Sequence, residues 1–151
     1  MPLLKQFKVL AVMLSFAVVS VYADAPRSGK VRLVIGDVQF QKKGAGSWNH
    51  LRVNGKVQEK DKIKTYEEST VSIALPDGSI VSIAELSEVE FSQLLMVDGE
   101  QVSAIEVREG QIRFDVQKQK GENSSFKIKT GTATCSIRGT DGTVGVTKGG
   151  Q

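Results

Sequence analysis

Residues 71–84 read VSIALPDGSIVSIA. Val71, Ile73 and Leu75 alternate with Ser72 and Ala74, and after Asp77-Gly78 the alternation resumes, with Ile80, Ser82 and Ala84 set against Val81 and Ile83. A period of two sends successive side chains to opposite faces of a strand. An Asp-Gly pair between two such runs supplies the positive backbone angles that a tight hairpin needs. The stretch therefore reads as a β-hairpin with one face buried.

The same pattern extends in both directions. Val31, Leu33 and Ile35 alternate with Arg32 and Val34, which predicts an inward row of Val31, Leu33 and Ile35. Val89 and Phe91 alternate with Glu88, Glu90 and Ser92; Ile112, Phe114 and Val116 with Arg113, Asp115 and Gln117; Phe126 and Ile128 with Lys127 and Lys129. Asn54-Gly55, Asp98-Gly99, Glu109-Gly110 and Lys120-Gly121 read as further turns, and Gly44-Ala45-Gly46-Ser47 as a looser loop. One helical turn near Leu86 is the only helical expectation. The reading is a single all-β domain over residues 30–146, with about ten short strands and tight hairpins. A compact sandwich, a small barrel and a short β-helix-like roll all fit this pattern. The glycines at 55, 78, 99 and 110 are too unevenly spaced for a regular solenoid.

Residues 1–23 have a different character. Lys5 and Lys8 precede an almost wholly apolar run from Val9 to Val21, and Val21-Tyr22-Ala23 gives small residues at the last and third-last positions. This is the build of a secretory signal peptide, with cleavage predicted after Ala23. The run is shorter than the roughly 20 residues of a spanning helix, so no permanent membrane anchor is expected. Residues 24–29 form a short leader to the domain, and 147–151 a Gly-rich tail.

Residues 1–23 carry two of the 20 basic side chains and none of the 17 acidic ones, so the exported chain has 18 against 17. Such a balanced surface steers no polyanion, and nucleic acid is not an expected partner. One His and one Cys leave little material for chemistry. His50 lacks the company of convergent ligands that a metal needs, so neither metal nor cofactor is expected. Cys135 has no disulfide partner, and its place between Ala133 and Ile137 in an alternating stretch predicts a buried apolar filler. Glu85, Glu88, Glu90, Asp98 and Glu100 are plentiful acids, but Glu88 and Glu90 share one strand face rather than opposing each other across a cleft. The segment 139–143 has no P-loop lysine. No enzyme is read here.

The ordered set Gly36-Asp37-Val38, Trp48, Leu51, Gly55, Asp61, Ile63, Thr65, Asp77-Gly78-Ser79, Gly110, Ile112 and Thr132 through Ile137-Arg138-Gly139-Thr140 resembles the FecR domain over about residues 30–146. The resemblance implies an extracytoplasmic β domain that serves as an envelope adaptor. The anti-sigma segment, mid-chain membrane helix and C-terminal signalling module of the better-known members have no counterpart in this chain, which reads as a standalone exported copy. Lys60 and Gly131 depart from the family's usual Gly and Pro. The family pattern also continues past Thr140 further than this chain does, so either the fold closes without the last strand or two or it leaves an open sheet edge near Val144–Gln151. Candidate binding residues are Arg138 and Thr140, at the end of the most specific motif, and the aromatics Trp48 and Tyr66. Gly55, Asp77, Gly78, Gly99, Gly110 and Gly139 are expected to shape turns, and Arg138 to cap loop carbonyls or to pair with a carboxylate such as Asp115 or Glu109. The expected partner is an envelope protein or a second copy bound through the open edge; a cell-wall glycan is the alternative.

Overall fold

The stretch that opens the sequence reading forms the predicted hairpin. In the computed structural model, which describes residues 27–97, 99–118, 121 and 124–147, Val71 lies opposite Ile83 and Ala74 opposite Ile80. Gly78 closes the turn at φ +86°. The Asp77 carboxylate accepts hydrogen bonds from the Ser79 N–H and hydroxyl, each at 2.9 Å. Val71, Ile73, Val81 and Ile83 are wholly buried, as the alternation requires.

Twelve strands follow in chain order: β1 (Gly29–Ile35), β2 (Val38–Gln41), β3 (Asn49–His50), β4 (Lys56–Val57), β5 (Lys62–Thr65), β6 (Thr70–Ala74), β7 (Ile80–Ile83), β8 (Glu88–Val97), β9 (Glu100–Asp115), β10 (Ser125–Lys129), β11 (Thr134–Ile137) and β12 (Asp141–Val146). The count exceeds the expected ten because β3 and β4 have two residues each, too few to leave a period in the sequence. The main path through the sheet runs β3-β2-β5-β8-β9-β7-β6-β1-β4. The result is an all-β fold, a largely antiparallel sheet curled into an open half-barrel over one apolar core.

Strand β9 organises this curl. Its first half lies between β8 and β10, the latter in parallel; its second half lies between β7 and β12. Gly110 sits where the halves meet, at φ +84°. Glu109-Gly110 is therefore a bend inside a 16-residue strand and not the predicted turn between strands. The bend needs glycine because a Cβ there would come within 2.6 Å of the Ser87 Cα and still closer to its hydroxyl.

Other expectations are corrected by pairing that sequence does not show. A bulge between Val31 and Leu33 flips the phase of β1: Val31 is fully buried, whereas Leu33 and Ile35 are 46% and 49% exposed. At Asn54-Gly55 the positive φ falls on Asn54, and the turn joins β3 to β4, which pair with β2 and β1 rather than with each other. It is a crossover, not a hairpin. Residues near Leu86 form a turn into β8 rather than a helical one, with Leu86 at φ +52°. Asp98 lies outside the described residues, but β8 and β9 meet as a hairpin there, with Val97 opposite Glu100 and Gly99 at φ +80°. Lys120, the 1–23 leader, residues 24–26 and the tail from 148 also lie outside them.

The two flanks of the half-barrel differ. On one, the crossover stitches the strands together: Leu51 N–H donates to Val38 O, Asn54 N–H to Val31 O, and Val31 N–H to Gly55 O. Leu51 and Val57 plug this flank, at 5% and 0% exposure. The other flank ends in β11 and β12. Among the described residues β11 pairs only with β10, and β12 only with β9.

Candidate functional site

The candidate residues fall into two groups, one on each flank. Tyr66 follows β5, and its N–H donates to Asp37 O at 3.3 Å. Its hydroxyl donates to Gln39 Oε1 at 3.2 Å, and Lys64 Nζ sits 5.7 Å from its ring centroid. His50, opposite Gln39 in the β2–β3 pair, holds Nδ1 3.2 Å from Asp37 Oδ1. Tyr66 is thus an exposed ring in a polar setting. Trp48 is half-buried and precedes β3, level with Gln41 rather than Asp37. Four strand residues at about 3.3 Å each, and two inter-strand spacings of about 4.8 Å across β2, put the two aromatics roughly 16 Å apart. The structure does not bring Trp48 and Tyr66 together.

On the other flank the chain leaves β11 through Arg138, Gly139 and Thr140 and enters β12. Gly139, at φ +62°, lets the segment pass against Lys118, whose Cα would stand 2.8 Å from a Cβ at 139. The Thr140 carbonyl accepts the Val116 N–H at 3.0 Å, which starts the β9–β12 ladder. Arg138 and Thr140 are both exposed. The expected pairing of Arg138 with Asp115 or Glu109 does not form; its guanidinium makes no ion pair with a described residue. Cys135 is likewise corrected: it is exposed. Alternation did place it on the same strand face as the buried Ile137, but β11 is an edge that pairs only with β10 among the described residues, and Thr134, Cys135 and Ser136 are all exposed.

The missed feature lies on β12. Its burial alternates, with Asp141, Thr143 and Gly145 exposed and Gly142, Val144 and Val146 half-buried; the two valines pack against the core cluster. Asp141 lies directly opposite Asp115 and Thr143 opposite Arg113. Two carboxylates in register repel, and neither has a cation among the described residues within ion-pair distance. Only the pairing register brings Asp115 and Asp141 together, 26 positions apart in sequence.

Three other acids serve the scaffold. Asp61, 2% exposed, accepts the N–H groups of Lys43 and Gln58. Glu85 accepts the Glu68 N–H at 2.7 Å, and Glu90 pairs with Arg108 at 2.6 Å. An open depression of about 620 Å³ lies among the turns at one end of the barrel, lined by Asp77, Gln101, Gln117, Lys118 and Ser124 among others. Its one described carboxylate, Asp77, is already bonded to Ser79. Among the described residues no three His, Cys, Asp or Glu side chains gather as metal ligands, and no helix is long and apolar enough to cross a membrane.

An all-β domain with a bent central strand and, among the described residues, an edge strand β12 paired only with β9 is the class that this geometry defines. The chain matches the family described as FecR protein over residues 61–151, more than half its length, and belongs to that family. The match begins at Asp61, the carboxylate that ties the loops around residues 43 and 58 to the core. No curated protein and no solved structure matches the chain.

Proposed function

We propose that this protein is exported, loses residues 1–23, and works in the bacterial envelope as a non-enzymatic module that binds or scaffolds another protein. The observation that carries the reading is the outer side of β12, six residues long, free of proline and unpaired among the described residues. Membership in the FecR family and the export pattern of residues 1–23 support the compartment in this reading. A glycan platform draws no such support, since stacking on a sugar calls for neighbouring rings and Trp48 and Tyr66 stand at opposite ends of β2.

The test is photo-crosslinking in cells that express the tagged full-length chain, with the crosslinking residue at Thr143 in one strain and at Tyr66 in another. The reading expects an N-terminus at Asp24 and one abundant protein adduct. An intact leader would overturn export with cleavage, and the absence of a protein adduct from both positions would overturn protein binding.

A further inference from the structure

The Val116 N–H bond to Thr140 O makes 116 and 140 a hydrogen-bonded pair. In an antiparallel ladder such pairs alternate with non-bonded ones. With the observed register, residues 142, 144 and 146 therefore turn their backbone groups toward β9, and Asp141, Thr143 and Gly145 turn theirs outward. The edge offers three residues' worth of N–H and C=O groups in a row.

Natural sheets usually guard such rows with short strands, bulges, lysines or prolines. The other free edges among the described residues carry such devices. The outer side of β8 past Phe91, which β5 does not reach, opens on a bulge between Phe91 and Gln93. Strands β3 and β4 have two residues each, and β4 carries Lys56. The free stretch of β1 beyond Lys30 is bulged. Strand β11 has four residues and runs into Arg138. Strand β12 has six, pairs with β9 without a register shift, and its one charge is Asp141.

We infer that β12 accepts an added strand from a partner protein: an extended segment with apolar, β-branched residues at alternate positions and a lysine or arginine on the other face, level with Asp141. The inner row of the added strand would sit beside Val144 and Val146, about 5 Å away, and cover what the core leaves exposed. The outer row would bring a cation to the Asp115–Asp141 pair. A second copy meets these needs poorly. Strand β12 itself contains no cation, so β12 against β12 sets no cation of that strand beside Asp141. Six residues of edge, about 20 Å by 10 Å, also fall far short of the roughly 800 Å² per partner of a stable dimer. Strand addition draws instead on main-chain hydrogen bonds, which a short segment supplies.

This inference rests on the protein-binding reading but can fail separately from it. The probe is a soluble ten-residue peptide with valine at alternate positions and lysine and threonine between them. It is compared with a version carrying glutamate for lysine and with an N-methylated version of the lysine peptide. Amide hydrogen exchange of the exported chain is read residue by residue. The lysine peptide is expected to slow exchange at Thr143 and Gly145, whose N–H groups point outward. The glutamate peptide should bind about three- to fivefold more weakly, and the difference should shrink with salt. The N-methylated peptide should give no protection, and neither should the lysine peptide on Thr143→Pro, which removes an outward donor and leaves the β9 ladder intact.

No protection at Thr143 and Gly145 overturns the inference, as does equal binding of the lysine and glutamate peptides. Protection that appears without peptide and rises with protein concentration assigns the edge to a second copy and also overturns it. If crosslinking at Tyr66 captures a partner while these amides stay unprotected, protein binding stands and the edge assignment falls.

Discussion

Gly110 and Gly99 both have positive φ, +84° and +80°, yet alanine should have very different effects at the two sites. At Gly99 nothing lies within 4 Å of the added methyl, so the cost is the left-handed backbone alone, about 1 kcal/mol. At Gly110 the same strain applies, and the methyl would also stand 2.6 Å from the Ser87 Cα and Cβ. Overpacking of this kind costs about 1–3 kcal/mol. Ser87 also accepts the Gln111 N–H at 3.0 Å and donates to Glu85 O at 3.0 Å, so moving it away loses roughly another 1 kcal/mol. The total is about 4 kcal/mol for Gly110→Ala against about 1 kcal/mol for Gly99→Ala. In urea, with a slope near 2 kcal/mol/M, the midpoints should fall by about 2 M and 0.5 M respectively. Adding Ser87→Gly to Gly110→Ala should recover only part of the loss, because the contact with the residue 87 Cα remains. Equal midpoint shifts for the two alanine variants would refute the bend as the structure draws it.

Three further outcomes follow from particular contacts. Asp61→Ala should cost about 3 kcal/mol, because it strips the acceptor from two backbone N–H groups, and Asp61→Asn about half that; thermal unfolding measures both. Val31→Ala should destabilise by about 2 kcal/mol while Leu33→Ala stays within about 0.5 kcal/mol in the same assay; the reverse order would mean that β1 has no bulge. Cys135 should react with a maleimide in the folded protein nearly as fast as in urea, and strong native-state protection would show that β11 is covered.

The strand class was legible because burial on one face imposes a local period. Where a strand has neighbours on both sides and a core below, as β6, β7 and the second half of β9 do, the alternation in sequence and the burial in structure coincide residue for residue. The readings that failed share a non-local cause. Leu33 and Ile35 look inward until the bulge opposite Ser72 shifts the phase, and that bulge exists only in the pairing with β6. Cys135 has the right parity for burial, but parity names a face and says nothing of whether another layer covers it. Glu109-Gly110 has turn composition because a bend and a turn need the same positive φ; the neighbour Ser87, 23 residues away, decides between them. On the site, the family resemblance singled out Arg138 and Thr140 as candidates, at the turn that leads into β12. The carboxylate pair was illegible, since no sequence rule relates Asp115 to Asp141 before β12 is placed beside β9.

The bend at Gly110 and the open edge at β12 belong to one construction. A strand as long as β9 could have remained in a single flat sheet, with β10 and β12 laid along the same side of it. Instead the chain bends between the two segments that these strands pair with, residues 102–106 for β10 and 110–115 for β12. The bend sends β10 into one wall of the half-barrel and β12 into the other. Phe114 and Phe126 meet between the walls with ring centroids 6.5 Å apart, so the core continues up to the flank where β11 and β12 stop. On the opposite flank the chain spends Leu51 and Val57 on closure. Here it leaves Val144 and Val146 half-covered beside a row of outward backbone donors and acceptors. A single glycine thus supports both the core and the exposed strand, which is why Gly110→Ala should loosen β12 together with the whole fold, while Thr143→Pro should alter the edge alone.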